Sequence, residues 1–289
     1  MAIRCFMWIF PLLLSFKARA DAAAAPAPLD VDLWENGLPN SNGMESQGYD
    51  DAKKNFKPSI RVYLPPKAEK PAKAVVICPG GGYSNLATEH EGYGWATFFN
   101  EQGIAAIVLK YRLPNGHHEV PASDAMEAIR LAKKHAAEWN IDPAGIGIMG
   151  FSAGGHLAST VATHAPDELR PTFQILFYPV ILMDANVTHS GSRSKLLGDN
   201  PSVEMENLYS NDRQVTDATP PAFIALSGDD RAVKPINSIK YYMALLEHGA
   251  SAAMFIYPTG GHGWGNRTNF RYNQEVLTEL RGWLKKAFE

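Results

Sequence analysis

Gly145-Ile146-Gly147-Ile148-Met149-Gly150-Phe151-Ser152-Ala153-Gly154-Gly155-His156-Leu157-Ala158 is the stretch on which the reading of this chain turns. A short apolar run meets a serine set between glycines, and the pattern then becomes helical. The stretch reads as strand, sharp turn and helix, with Ser152 at the turn. Its core, Gly150-Phe151-Ser152-Ala153-Gly154, has the G-x-S-x-G spelling of a nucleophile elbow, where a strained backbone holds a serine hydroxyl clear of its surroundings. A side chain two residues before or after that serine would press on the neighbouring strand or helix, so glycine lets the backbone turn there. The helix that follows aims its N-terminal amides and the positive end of its dipole at any anion forming beside the hydroxyl. Five residues of common types are a weak signal by themselves, since a glycine-rich loop capping a helix has the same spelling. The context has to come from the remainder of the chain.

Upstream, Ala74-Val75-Val76-Ile77-Cys78 is a continuous β-rich run, as expected of a strand buried on both faces of a largely parallel sheet. It leads directly into Pro79-Gly80-Gly81-Gly82-Tyr83. Three successive glycines let backbone N–H groups converge on one point. Gly81 or Gly82, together with the N–H of Ala153, are the expected donors to a developing oxyanion. Ile60-Arg61-Val62-Tyr63-Leu64 alternates with period two before Pro65-Pro66, which predicts an antiparallel edge strand. Further strands are predicted over 104–110, 173–178, 222–226 and 252–257, and helices over 92–102 and 122–139. Residues 29–58 read as irregular with one short strand. Residues 184–217 are polar and without a clear period, which predicts substrate-shaping loops. Strands alternating with helices predict an α/β fold with a doubly wound, mostly parallel sheet, whose active site lies at the carboxyl ends of the strands. Every motif above falls at such an end.

A serine hydroxyl is a poor nucleophile near neutral pH and needs an adjacent base, itself held by an acid. Ser227-Gly228-Asp229-Asp230-Arg231-Ala232-Val233 follows the predicted strand at 222–226, and Gly260-Gly261-His262-Gly263-Trp264-Gly265 follows the last one. His262, flanked by glycines, is the expected base. Asp230 is the chosen acid, but these residues alone hardly separate it from Asp229. His117, His118 and His90, with Glu89 and Glu91, lack the regular spacing of a zinc site, so no metal or other cofactor is expected. His156 reads as a packing or hydrogen-bonding residue of the elbow helix.

The 289 residues, 45% hydrophobic and 20% charged, suffice for one large α/β domain over 29–289. A net charge of −3 offers no basic field, so a nucleic-acid partner is not expected. Met1 to Arg4 carries one positive charge, Cys5 to Phe16 is almost wholly apolar, and Ala18-Arg19-Ala20 has the A-x-A spacing. Residues 1–20 therefore read as a secretory signal peptide cleaved near Ala20, which predicts an exported protein, periplasmic or secreted. The apolar core is too short for a spanning helix of roughly 20 residues, so no membrane anchor is expected in the mature form. Residues 21–28, rich in Ala and Pro, read as a flexible leader. Cys78 is then the only cysteine left, and an intrachain disulfide is not possible.

The chain resembles the α/β-hydrolase superfamily and, within it, the small secreted esterases related to acetylxylan and feruloyl esterases. The resemblance runs from about Leu33-Trp34 to the C-terminus. It is carried by Pro79-Gly80-Gly81-Gly82-Tyr83, Glu89-His90-Glu91-Gly92, the Ser152 elbow through His156, Ser192-Arg193 with Leu196-Leu197-Gly198, Thr219-Pro220-Pro221 and Gly260-Gly261-His262-Gly263. The superfamily order of serine, acid and histidine is the order found here. In the resembled family the acid stands three residues before the valine of a D-x-x-V-P segment, which implies Asp230 rather than Asp229. Lys234 replaces the usual proline, and Pro79 stands where lipase-like relatives have histidine. The resemblance implies hydrolysis of a small ester or an acetylated plant polysaccharide such as xylan by Ser152, His262 and Asp230. Feruloyl esterase, general short-chain carboxylesterase and prolyl-oligopeptidase-like peptidase are the alternatives. Tyr83 and Trp264, beside the oxyanion loop and the base, are candidates for a sugar-stacking wall.

Overall fold

A computed structural model describes residues 24–287 of the chain. The signal-peptide reading of residues 1–20 and the start of the leader lie outside the described residues, while residues 24–28 run exposed and without regular structure into the first strand. The strands are β1 (Leu29–Asp32), β2 (Ser59–Tyr63), β3 (Ala72–Cys78), β4 (Ile104–Lys110), β5 (Ile141–Phe151), β6 (Gln174–Phe177), β7 (Ala222–Ser227) and β8 (Ala252–Tyr257). The helices are α1 (Ala96–Glu101), α2 (Glu119–Lys134), α3 (Ala136–Trp139), α4 (Ser152–His164), α5 (Ser190–Leu197), α6 (Val203–Tyr209), α7 (Ile236–Glu247) and α8 (Asn273–Ala287). Among the described residues no helix is long and apolar enough to cross a membrane.

The strands form one sheet in the order β1-β2-β4-β3-β5-β6-β7-β8. β2 runs antiparallel to both β1 and β4, and every other pairing is parallel. The runs that read as continuously apolar are the central strands: β4, β6 and β7 are buried almost throughout, and β3 from Ala74 onward. β2 is antiparallel as its alternation predicts, but it is not the edge. Leu29–Asp32 pairs along its outer side, with Leu29 opposite Val62 and Asp32 opposite Ser59.

α2 lies against β3, β4 and β5, α4 against β3, β5 and β6, α7 against β7 and β8, and α8 against β7. One hydrophobic cluster runs from Leu33 to Leu284. Near its centre the Trp95 ring meets Phe98, Phe99, Phe151 and Phe177 at centroid distances of 5.6, 6.3, 5.7 and 5.1 Å. Burying each such side chain contributes roughly 1.5–3 kcal/mol. The irregular stretch before β2 is tied to α2 by a buried pair. Arg112 grips Asp124 through Nη2 at 2.7 Å and the Asn40 carbonyl through Nη1 at 2.8 Å, and Trp34 Nε1 donates to the same carboxylate.

Residues 184–217 hold more regular structure than the loops expected there. They contain α5, α6 and a short turn of 3₁₀ helix at Asn211–Arg213. His189 caps α5 and Ser202 caps α6, each side chain accepting a backbone N–H of the first turn.

The register sets up the site. Cys78 stands opposite Gly150, Phe151 opposite Phe177, and Ser227 opposite Tyr257. Parallel strands ending in step send the loops after β3, β5, β7 and β8 off the same edge of the sheet.

Candidate active site

Ser152 sits where β5 becomes α4, with φ of 52°, in the left-handed region that a residue with a Cβ rarely adopts. The close glycines make that turn possible. A Cβ on Gly150 would lie 2.0 Å from the Gly154 carbonyl oxygen, and one on Gly154 would lie 2.1 Å from that of Cys78. Ser152 is buried and its hydroxyl meets His262, Oγ to Nε2, at 2.7 Å. The other ring nitrogen, Nδ1, is 2.6 Å from Asp230 Oδ2. Asp230 is itself fixed, since its Oδ1 accepts the backbone N–H groups of Ala232 at 2.9 Å and Val233 at 3.0 Å.

The two aspartates separate cleanly. Asp230 is buried and faces the ring; Asp229 is exposed, and its Oδ1 accepts the N–H of Gly261, the residue before His262, at 2.8 Å. Asp229 thus steadies the histidine loop from outside. The Tyr178 ring meets the His262 ring edge-on at 4.8 Å.

The oxyanion loop has the backbone that its glycines allow. Gly81 and Gly82 have φ of 131° and 64°, and a Cβ on Gly81 would lie 2.1 Å from the Asn85 carbonyl oxygen. Gly80 N–H is taken by the buried Glu91 at 2.9 Å. Among the described residues, no group accepts from Gly81 or Gly82 N–H. Those two amides, with Ala153 N–H at the first turn of α4, are the donors left for an oxygen carrying negative charge beside Ser152.

The stacking wall expected of Tyr83 and Trp264 is not there. Tyr83 is 1% exposed, its hydroxyl on His156 Nδ1 at 2.9 Å, and Trp264 is 4% exposed, stacked on Phe270 at 4.2 Å with Nε1 on Ser227 Oγ. Both rings support the loops from inside, so neither face is open to a sugar. His156 is wholly buried, and Nε2 meets the Tyr209 carbonyl at 2.8 Å, which fixes the proton on Nε2 and makes Nδ1 the acceptor of the Tyr83 hydroxyl. Burial first, and only partly offset by that carbonyl, lowers its pKa to about 4.

Sequence reasoning did not find two groups of residues here. Glu91 Oε2 holds Gly80 N–H while Oε1 accepts the Tyr178 hydroxyl at 2.8 Å; Tyr178 in turn accepts Gly265 N–H at 2.7 Å. This carboxylate therefore joins the oxyanion loop to the histidine loop. The Glu89-His90-Glu91-Gly92 run was a signal that the segment mattered, but it gave no role. His189, whose ring lies against Gly82, had no signal at all.

A serine hydroxyl on a histidine, a histidine on a buried carboxylate, and free amides beside the serine can transfer an acyl group through a covalent intermediate. Residues 60–245, which include Ser152 and Asp230, match the BD-FAE family. The acetylxylan esterase of Xylanibacter ruminicola is 45% identical over 217 residues, covering 74% of this chain and 45% of that protein. Endo-1,4-beta-xylanase B of Butyrivibrio fibrisolvens is 35% identical over 228 residues, covering 74% of this chain and 35% of that one. The chain thus spans less than half the length of these curated relatives. Among solved structures, an acetyl ester-xyloside bifunctional hydrolase from Caldicellulosiruptor lactoaceticus is 36% identical with a TM-score of 0.78, covering 89% of this chain and 96% of that one. A carboxylesterase, Cest-2923 from Lactobacillus plantarum, is 26% identical with a TM-score of 0.68, covering 79% and 92%. With more than half of its length matched to the family and the α/β-hydrolase sheet beneath the site, the chain belongs to the BD-FAE family.

Proposed function

We propose that this chain is a serine carboxylic ester hydrolase that removes acetyl groups from a plant polysaccharide such as xylan. The observation that carries the proposal is the hydrogen-bonded line from Ser152 Oγ through His262 to Asp230. Ser152 Oγ attacks the ester carbonyl carbon while His262 Nε2 takes its proton, and Asp230 holds the Nδ1–H and balances the imidazolium. The carbonyl oxygen becomes an oxyanion held by Ala153 N–H and by Gly81 or Gly82. On collapse the bond to the alcohol oxygen breaks, His262 returns its proton to that oxygen, and an acyl-serine remains. Water, deprotonated by His262, then releases the acid and restores the hydroxyl. The acetyl and xylan part of the reading is supported by what the relatives in Xylanibacter and Caldicellulosiruptor are named for.

Export belongs to the same proposal, supported by the charged, apolar and A-x-A segments of residues 1–20. A substrate series tests the chemistry: p-nitrophenyl acetate, longer p-nitrophenyl esters, a feruloyl ester and acetylated xylan, each with Ser152→Ala as control. Acetate should leave faster than longer acyl groups, acetylated xylan should be deacetylated, and Ser152→Ala should lose at least about 10⁴-fold in kcat. Wild-type turnover by Ser152→Ala would refute the mechanism. Preference for long chains or the feruloyl ester would refute the acetyl assignment.

A further inference from the structure

His189 takes no part in the chemistry above, yet it stands at the edge of the site. Its Nδ1 accepts the backbone N–H of Ser192 at 3.2 Å and lies 2.8 Å from Ser192 Oγ. An N–H donor on Nδ1 makes that atom the acceptor, so the proton of the neutral ring is on Nε2. The half-buried ring lies against the oxyanion loop: a methyl group on Gly82 would meet His189 Cε1 at 3.7 Å. Burial and then His262 hold its pKa below the ordinary histidine value, against the opposing pull of Asp230, so the ring is neutral at pH 7. Among the described residues no group accepts from Nε2.

The segment that carries the ring is firmly held. Asn237 Oδ1 accepts the N–H groups of Ile181 and Leu182, each at 3.0 Å. Arg193 bonds the Met183 carbonyl through Nε at 3.1 Å and pairs with Glu206. With Nδ1 held by Ser192 N–H and Oγ, Nε2–H is the ring's remaining donor.

His262 must hand its proton to the departing alcohol. A donor on the ring that lies against Gly82 borders the space beside the oxyanion loop in which the ester and its alcohol part are held.

We propose that His189 is a specificity-determining residue, donating Nε2–H to a free hydroxyl on the alcohol part of the ester, as a partly acetylated sugar supplies. The inference rests on the ester-hydrolase reading and adds to it a protein group that recognises a hydroxyl-bearing leaving alcohol.

The experiment compares p-nitrophenyl acetate, whose leaving group has no second hydroxyl, with a mono-acetylated methyl xyloside. His189→Asn places an amide oxygen where Nδ1 caps α5 but has no donor at the Nε2 position. His189→Gln reaches toward the Nε2 position. His189→Asn should lose about tenfold more in kcat/KM on the xyloside than on p-nitrophenyl acetate, and an unchanged melting temperature shows that the variant folds. His189→Gln should recover part of the xyloside loss. Equal effects on both esters, including none, would overturn the inference and leave the hydrolase reading standing. A wild-type protein that cleaves p-nitrophenyl acetate but not the xyloside would sink the sugar-ester reading and this inference together.

Discussion

Asp230 and Asp229 are neighbours on one turn, and replacing each by asparagine should give opposite results. Asp230 Oδ1 is committed to two backbone donors, Ala232 N–H and Val233 N–H, so the oxygen of an asparagine will stay on them. Its NH₂ group then faces His262 Nδ1, where a carboxylate oxygen now stands at 2.6 Å. Two donors cannot face each other, so the imidazole moves its proton to Nε2 and presents an N–H to Ser152 Oγ, 2.7 Å away. The ring can no longer take the serine proton. A tautomer inverted in this way costs about 10⁴-fold in kcat, equivalent to about 5.5 kcal/mol of barrier.

Asp229→Asn behaves differently, because Gly261 N–H needs only an oxygen, and the amide supplies one. Losing the charge on that bond costs about 1 kcal/mol, less than about tenfold. The assay is kcat/KM on p-nitrophenyl acetate at pH 8, together with the rate at which a fluorophosphonate labels Ser152. Similar losses in the two variants, or a larger loss for Asp229→Asn, would refute the assignment of the acid and the tautomer argument with it.

The remaining predictions concern acid stability and the N-terminus. His156, buried and neutral with a pKa of about 4, stays unprotonated when the unfolded chain binds a proton at the ordinary histidine pKa near 6.5. Stability from this residue is therefore complete above about pH 7 and is lost as pH falls toward 4, with about 2 kcal/mol gone by pH 5. Urea unfolding at pH 7 and pH 5 should show a smaller fall for His156→Gln than for wild type, and equal falls would refute the reading. For export, protein recovered from outside the cytoplasm of its producing cell should begin at Asp21, and recovery with Met1 intact would refute cleavage.

The parts of the fold that were legible in sequence are those whose burial leaves a pattern. β3 from Ala74 to Cys78, β4 from Ile104 to Leu109 and β7 from Ala222 to Leu226 are continuously apolar and buried because both faces are covered, and such runs need no knowledge of their neighbours. β1 leaves no such mark. Leu29–Asp32 is four residues with three exposed side chains, held to β2 by the backbone ladder and by Arg61 on Asp30, so the one short strand expected over 29–58 gave no sign that it lies outside β2, and β2 looked like the edge. α5 was hidden for a related reason: only Ser192 and Leu196 are buried along Ser190–Leu197, and the helix is held by its histidine cap and Arg193 rather than by an apolar stripe. Ser152, the glycine loop and His262 were legible because tight backbone and chain order are written in residue types. Which aspartate faces the ring was legible only through the family resemblance, which implied Asp230, since two adjacent residues in a turn point apart according to which one the backbone amides of Ala232 and Val233 can reach. Tyr83 and Trp264 sit beside the motifs in sequence, but their rings turn inward to His156 and Ser227, partners 73 and 37 positions away.

These inward-facing residues explain how the site keeps its geometry. An oxyanion hole helps only if its amides stand in place before charge develops, because donors that must first reorganise consume the energy they would supply. Here the glycine loop, flexible by composition, is held from below: Glu91 takes Gly80 N–H, Tyr178 links Glu91 to Gly265 N–H, and the same Tyr178 ring lies against His262. Removing one member leaves the others buried with unmet hydrogen bonds, so the loss is larger than a single bond and falls on both loops at once. The glycines allow the shape of the hole, and a buried carboxylate that touches no reacting atom keeps it. In the proposed mechanism, Ser152 therefore relies on Glu91 and Tyr178 for the position of both loops as well as on Asp230 for charge.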